Sequence, residues 1–312
     1  MEFPFKVTRN NKFDALGFGT NAVDHLICVS EYPAFNSKVR LNRYIRAAGG
    51  EAASTMVALR RLGMKTAYAG TFGDDAEGEF GLRSLVDEGV DTSKATTVAG
   101  AQTQLAFIII DERSGERTII WDRDRALAYS ENDAPVGAAS QCSILHMTPH
   151  DTRACIGLAK AVREHGAIVS VDIDNVFDGI DELLPLVDIC IASFEFPSRM
   201  FGIRDPRSAL FEIRSRYGCA ISGLTLGASG SLVLCEDTFI ESGAFEVPGG
   251  CVDTTGAGDA FRAGFLYGVL TGASVEKSCR YANAVAALEC RDLGARAALP
   301  TEEELKGFLE DY

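Results

Sequence analysis

The chain has 312 residues, 46% of them hydrophobic and 24% charged, with 31 glycines against 9 prolines. That composition excludes collagen-like, disordered and membrane-spanning classes. A formal net charge of −14 gives no overall field to draw in nucleic acid or anionic lipid, so an anion would have to be held locally, by backbone N–H groups, a helix N-terminus and a metal ion.

The first residues, MEFPFKVTRNNKFD, lack the apolar stretch of a signal peptide and read as the start of a cytoplasmic protein. Residues 14–19 read as a strand, Ala52, Met56, Leu59 and Leu62 recur at helical spacing, and residues 65–69 read as the next strand. Further strands are predicted at 142–147, 167–172, 188–192 and 219–226, with helices at 152–165 and 206–217. This alternation predicts an α/β fold whose mostly parallel sheet is covered by helices on both faces. Two stretches break it. Residues 25–48 carry Leu26-Ile27-Cys28-Val29 and a second apolar run at 39–45; residues 100–125 carry the run 105–110, a turn at Arg113-Ser114-Gly115-Glu116, and the run 117–121. The second stretch reads as a β-hairpin. Together the two predict a small sheet projecting from the main body, placed to cover a site; edge strands of the main sheet are the alternative. No repeat or linker divides the chain, so residues 1–312 read as one domain.

The nine cysteines are scattered singly, with no C-x-x-C pair, which points to buried free thiols rather than disulfides or zinc. His146 and His150 read as ordinary strand-end residues rather than metal ligands. Gly17-Phe18-Gly19-Thr20-Asn21-Ala22 fits a dinucleotide fingerprint, but the following residues look β-like and run into Pro33, where the fingerprint needs a helix. The P-loop pattern is absent.

The most informative string is Asp253-Thr254-Thr255-Gly256-Ala257-Gly258-Asp259-Ala260-Phe261-Arg262-Ala263-Gly264. Pro248-Gly249-Gly250 breaks the chain before it, and Ala260, Phe261, Gly264, Phe265 and Val269 continue it at helical spacing. Small residues at a helix start let the backbone approach an anion, and the exposed N–H groups and helix dipole supply positive charge. An aspartate inside such a site is costly unless it has a task, and beside a phosphoryl group it could take the proton of an attacking hydroxyl.

This string resembles the second signature of the ribokinase-type (PfkB) carbohydrate kinase family at every defined position. The order of the other segments is similar to the family's as well: Gly19 to Asp24, Gly49-Gly50 to Gly63, Gly73-Asp74-Asp75 with Gly78, Thr225-Leu226-Gly227 with Gly230, then Asn283 and Gly294. The resemblance implies a ribokinase-like fold with a β-sheet lid, formed here by approximately residues 25–48 and 100–125. It implies Asp259 as base, and Gly256, Ala257 and Gly258 as the anion hole. It further implies Asp24, Gly49, Gly50 and Ser54 as acceptor contacts, and Thr225, Gly227, Gly230 and Asn283 as nucleotide contacts. ATP and Mg²⁺ are the implied cofactors, and a homodimer through the lid is a further expectation.

The departures narrow the reading. Ser54 stands where the family usually carries Asn, Glu51 where ribokinases carry Lys, and Ala22 where a sugar-contacting Asn stands, which disfavours ribose. The family's N-x-x-E segment becomes Ser193-Phe194-Glu195-Phe196, its acid displaced one position or absent. Residues 115–120 and 294–298 look most like the ketose-phosphorylating branches. Arg123 and Arg125 are the clear cations for a phosphosugar acceptor, but Asp122 and Asp124 alternate with them, so local pairing and an unphosphorylated acceptor are expected. Asp253 and Thr255 are candidate ligands for K⁺; Ala298 replaces a serine hydroxyl there, so weak or absent K⁺ activation is expected. The sequence therefore reads as an ATP-dependent kinase for a primary hydroxyl of a small sugar. A nucleoside kinase of the same fold, or a non-catalytic sugar or nucleotide sensor, is the alternative. Nucleic acid and membrane are not expected partners.

Overall fold

The computed structural model describes every residue except 9, 10, 114 and 115. In chain order the first elements are β1 (Phe13–Phe18), β2 (Ala22–Val29), β3 (Leu41–Gly49), α1 (Glu51–Arg61), β4 (Thr66–Ala69), β5 (Thr71–Gly73), α2 (Ala76–Asp87), β6 (Thr96–Val98), β7 (Leu105–Asp111) and β8 (Arg117–Asp122). The middle of the chain forms β9 (Cys142–Met147), α3 (Thr152–Glu164), β10 (Ile168–Ile173), α4 (Ile180–Leu183), β11 (Ile189–Ser193), α5 (Phe196–Phe201) and α6 (Pro206–Tyr217). It continues through β12 (Ile221–Thr225), β13 (Ser231–Cys235), β14 (Thr238–Ser242), α7 (Ala257–Thr271), α8 (Val275–Glu289) and α9 (Glu302–Glu310).

Among the described residues the main sheet has eight strands in the order β14-β13-β12-β11-β10-β9-β1-β4. From β12 to β4 every pairing is parallel, while β13 and β14 add an antiparallel edge. Strands such as β9 and β10 are buried along their whole length because helices cover both faces, and the core accordingly forms two layers, one on each side. In a parallel sheet of this kind the loops at the carboxyl ends of the strands are where ligands gather, and the candidate residues lie there.

A second sheet, in the order β3-β2-β7-β8, stands apart from the first. The stretches predicted to project thus pair with each other and not with the main sheet. Strands β7 and β8 are antiparallel; two residues of the predicted turn between them, 114 and 115, lie outside the described residues. The inner face of this sheet packs Leu26, Cys28, Ala106 and Ile108 onto Leu293 of the C-terminal loop. The fingerprint-like Gly17–Ala22 run leads into β2 rather than a helix. His146 lies wholly buried inside β9, where burial pushes its pKa down to about 3, and its Nδ1 sits 3.1 Å from Ser170 Oγ. All cysteines are free, and one departs from the expectation of burial: Cys251 is exposed.

Candidate active site

The site grows from the turn before α7. Gly256 takes φ +88 and caps the helix N-terminus, and a Cβ on it would lie 2.5 Å from Ala295 Cα. Only glycine lets the turn sit this close to the C-terminal loop. Among the described residues nothing accepts from the N–H groups of Gly256 and Gly258, whereas Ala257 N–H already donates to Thr254 O at 3.2 Å. The anion-binding capacity therefore resides in Gly256, Gly258 and the start of the helix, with Ala257 committed to the turn. Asp253, fully buried, organises this turn. Its Oδ1 accepts from Thr255 N (2.9 Å) and Thr255 Oγ1 (2.8 Å), and its Oδ2 accepts from Gly294 N (2.9 Å).

Asp259 sits half-buried in the first turn of α7, and its carbonyl accepts from Thr55 Oγ1 of α1 at 3.3 Å. Burial, followed by the charges of Asp172 and Glu51, holds its carboxyl well above the usual range, while Arg262 and Arg296 pull it back. Such a carboxylate holds a proton tightly once it has taken one, as a general base must.

Across from it, Asp24 on β2 is buried, and burial pushes its pKa up to about 6 against the opposing pull of Arg296. Gly49 is glycine because any Cβ there would strike the Asp24 carboxylate; Gly50, at φ +88, lies against the backbone of Asn21 and Ala22 and starts α1. Ser54 is fully buried, and its hydroxyl accepts from Arg296 Nε at 3.1 Å. The same guanidinium donates to Ser84 Oγ and to Gly49 O, and its burial pulls its pKa down to about 10. Tripeptide 294–296 thus touches both halves of the site: Gly294 holds Asp253, Ala295 packs on Gly256, and Arg296 holds the Gly49–Ser54 loop.

The nucleotide candidates stand at the end of β12. Thr225 is half-buried there, and Gly227, at φ +56, has open space where a side chain would be. Gly230 lies against Ser242 O and Ala244 N. The amide of Asn283 on α8 is buried and donates to Ser231 Oγ (3.1 Å) and Ser242 Oγ (3.0 Å), tying the helix to β13 and β14. Glu195 is exposed just past β11.

Five residues to which motif reading gave no side-chain role belong to it. Glu51 accepts from Thr20 Oγ1 at 3.3 Å and lies 3.7 Å from His150 Nδ1. Asp172 and Arg262 form a buried ion pair at 2.6 Å. Glu289 is fully buried, neither of its carboxylate oxygens finds a hydrogen-bond partner among the described residues, and burial together with Asp253 and Asp259 drives its pKa well up. From the small sheet, Arg117 donates to Thr254 Oγ1. One expectation is corrected. Arg123 does not pair with its sequence neighbours but with Asp151, in a two-pronged bond of 2.9 and 2.7 Å; Asp124 instead caps the turn at Ala126.

The family model described as pfkB family carbohydrate kinase matches residues 18–302. A nucleoside kinase of Methanothermobacter thermautotrophicus is 28% identical over 96% of this chain and 96% of its own. A ribokinase of Haemophilus influenzae is 28% identical over 94% of this chain and 97% of its own. The structure of Arabidopsis thaliana ribokinase complexed with ribose and ATP superimposes with a TM-score of 0.82 over 96% of this chain and 99% of that one, at 24% identity, a likeness of fold.

Proposed function

The chain belongs to the PfkB family of carbohydrate kinases, and on that premise we propose that it transfers a phosphoryl group from ATP to a primary hydroxyl of a small, unphosphorylated sugar, a ketose or a relative of one. The observation that carries this reading is Asp259 in the first turn of α7, directly after two uncommitted glycine N–H groups. Phosphoryl transfer asks a protein chiefly for positioning and charge stabilisation. Asp24 orients the acceptor by accepting from its hydroxyls, Asp259 takes the proton of the attacking hydroxyl, and the N–H groups of Gly256 and Gly258 receive the charge that develops on the transferring group. The small sheet acts as the lid; Arg117, reaching Thr254, is its contact with the phosphate turn. Thr225, Gly227 and Asn283 flank the nucleotide.

Bound Mg²⁺ would supply charge neutralisation on the phosphates, and the exposed carboxylates of Asp174 and Glu195 past β10 and β11 are hard oxygen donors of the type it takes. For K⁺ the fit is poorer. Both Asp253 oxygens are engaged, Ala298 has no hydroxyl, and its carbonyl accepts from Arg291. The Glu289 carboxylate, unpartnered among the described residues, is an extra oxygen donor, and with the serine hydroxyl lost we expect K⁺ to activate weakly.

A nucleoside acceptor is the second reading, favoured by an aromatic wall. Trp121, half-exposed, pairs across β8 and β7 with Ala106, the neighbour of Asp24, and meets His150 edge-on at 6.3 Å. His150 in turn packs on Phe177 at 4.9 Å. Such a wall could receive a flat base. A coupled assay of ketohexoses, pentoses, sugar acids, phosphosugars and nucleosides with Mg-ATP separates the two. With the best acceptor, Asp259→Asn should lower kcat by ~10²-fold or more and leave the KM for ATP nearly unchanged; near-wild-type turnover would end the proposed mechanism.

A further inference from the structure

Arg296 has a second neighbourhood besides the acceptor loop. Its Nε donates to Ser54 Oγ, its Nη1 to Ser84 Oγ and its Nη2 to Gly49 O, so two of the five guanidinium N–H groups have no acceptor among the described residues. The residue is 9% exposed, and unmet donors on a buried cation are costly. The same side chain lines a cavity of about 330 Å³, at the small end of the ~300–1,000 Å³ range of ligand pockets. None of the residues assigned above to the acceptor, the phosphate turn or the nucleotide lines this cavity; Arg296 alone is shared.

The cavity lies where the small sheet meets the body. Strand β3 supplies one wall, with Arg43 and Ile45, and α1, α2 and the C-terminal loop supply the other. Arg43 pairs with Cys28 and Ile45 with Leu26, which puts both on the inner face of the sheet, toward the body. On the outer face Arg46 already fastens β3 to α2, through Glu77 at 2.6 Å and the Phe80 ring at 4.2 Å. On the inner face Arg43 makes no such tie among the described residues. Three guanidiniums and two carboxylates line the cavity, which leaves one positive charge. Arg61 is spent on Glu88, in a two-pronged bond of 2.9 and 2.6 Å, and Asp292 turns one oxygen back onto Leu293 N at 2.8 Å. The surplus therefore rests with Arg43 and Arg296.

We propose that this cavity is a binding site for a small organic monoanion, a carboxylate on a short hydroxylated skeleton, which joins Arg43 of the small sheet to Arg296 of the body. The planar guanidinium forks match a carboxylate, Ile45, Phe80 and Leu293 take the skeleton, and a hydroxyl donates to Asp292. A phosphate dianion would exceed the available charge and set its second charge against Asp292 and Glu88. The bound carboxylate gives Arg296 its missing acceptors and ties the edge of the small sheet to the side chain that holds Gly49 and Ser54. This rests on the reading of those residues as the acceptor loop beneath a lid; on it, the anion is an activator that tightens acceptor binding from outside the cleft.

Lactate and 3-hydroxybutyrate are suitable probes, since neither carries the primary hydroxyl of an acceptor. In calorimetric titration of the full chain, without ATP or sugar, each should bind at one site, and lactamide, 3-hydroxybutyramide and inorganic phosphate should bind at least ~tenfold more weakly. Arg43→Glu changes an exposed residue outside the catalytic and binding machinery. It should weaken probe binding at least ~tenfold and leave basal kcat and KM unchanged. Ala297→Leu, which fills the cavity from an exposed position, should do the same. With the best acceptor, saturating probe should lower the acceptor KM about fivefold at unchanged kcat, without competing with ATP. Binding that survives both variants, displacement of the probe by ATP or acceptor, or phosphate binding as tightly as lactate would overturn the proposal. Binding lost in both variants with an unmoved acceptor KM would confirm the site and overturn its coupling through Gly49 and Ser54. Absence of any phosphorylation by the wild-type chain would fail the kinase reading alone, because the calorimetry needs no turnover.

Discussion

Replacing Gly256 by Ala tests the anion turn at its tightest point. Three contributions can be set against one another. An alanine held at φ +88 costs about 1–2 kcal/mol in the left-handed region. Its Cβ would lie 2.5 Å from Ala295 Cα and 2.6 Å from Ala295 Cβ, so the C-terminal loop must back away. That retreat draws Gly294 N–H off the Asp253 carboxylate, now 2.9 Å distant, and a hydrogen bond to a charged group is worth about 1.5–3 kcal/mol. The unfolded chain loses entropy with alanine, which returns roughly 0.4–1 kcal/mol. The net is a destabilisation of about 2–4 kcal/mol, read from the urea midpoint at unchanged m. Gly166→Ala is the control: φ is +74, but nothing lies within 4 Å of the new Cβ, so only the conformational cost remains, ~1 kcal/mol. Turnover should fall by ~10²-fold in Gly256→Ala, as when one oxyanion donor is lost, and hold in Gly166→Ala. Equal losses of stability in the two variants would refute the argument that this turn is braced by Ala295 and Asp253.

Other outcomes follow from the same geometry. Asp24, with its pKa raised to about 6, is protonated below that pH and can no longer accept from two hydroxyls. The acceptor KM should therefore rise ~tenfold per unit below pH 6, separately from the fall in kcat that protonation of the raised Asp259 carboxyl brings, and Asp24→Asn should weaken acceptor binding at every pH; a KM flat down to pH 5 would exclude Asp24 from the acceptor. At fixed ionic strength, K⁺ in place of tetramethylammonium should raise the rate by less than ~tenfold; a larger rise, abolished in Glu289→Gln, would show that the buried carboxylate replaces the missing hydroxyl. Arg123→Ala breaks a nearly buried pair with Asp151 and should cost about 3 kcal/mol without altering the ranking of acceptors. A kcat/KM for fructose 6-phosphate at least ~tenfold above every neutral sugar would show that the acceptor is phosphorylated and the cleft contains cation contacts beyond those described.

Much of the fold was legible because its strands are short apolar runs buried on both faces: β9 spans the predicted 142–147, and β10 and β11 lie within one residue of prediction. The β13–β14 hairpin carried no comparable signal. Its turn holds Glu236 at φ +50, a residue type that does not announce a left-handed position as glycine or asparagine does. In the candidate site, what could be read were residues bound to local backbone constraints: the glycines at positive φ and the aspartate beside them. Arg262 looked like one more residue of a helix because its partner Asp172 lies ninety positions away and no local pattern links them. Glu289, near the end of a helix with exposed charges, carried nothing to mark it as fully buried. Arg123 shows the reverse error: sequence neighbours of opposite charge suggested a pairing, while the chain path brought Asp151 within bidentate reach.

The tripeptide 294–296 also governs when the site can first exist. The acceptor loop around Asp24 and Ser54 is synthesised early, and the phosphate turn follows some two hundred residues later, yet neither has its brace until these three residues leave the ribosome. Until then Asp24 lacks the guanidinium that offsets its burial, and Asp253 lacks one of its three donors. A nascent or truncated chain with most of the sheet in place would have an unbraced acceptor loop and a loose phosphate turn, so phosphoryl transfer would report completion of the chain rather than formation of its sheet.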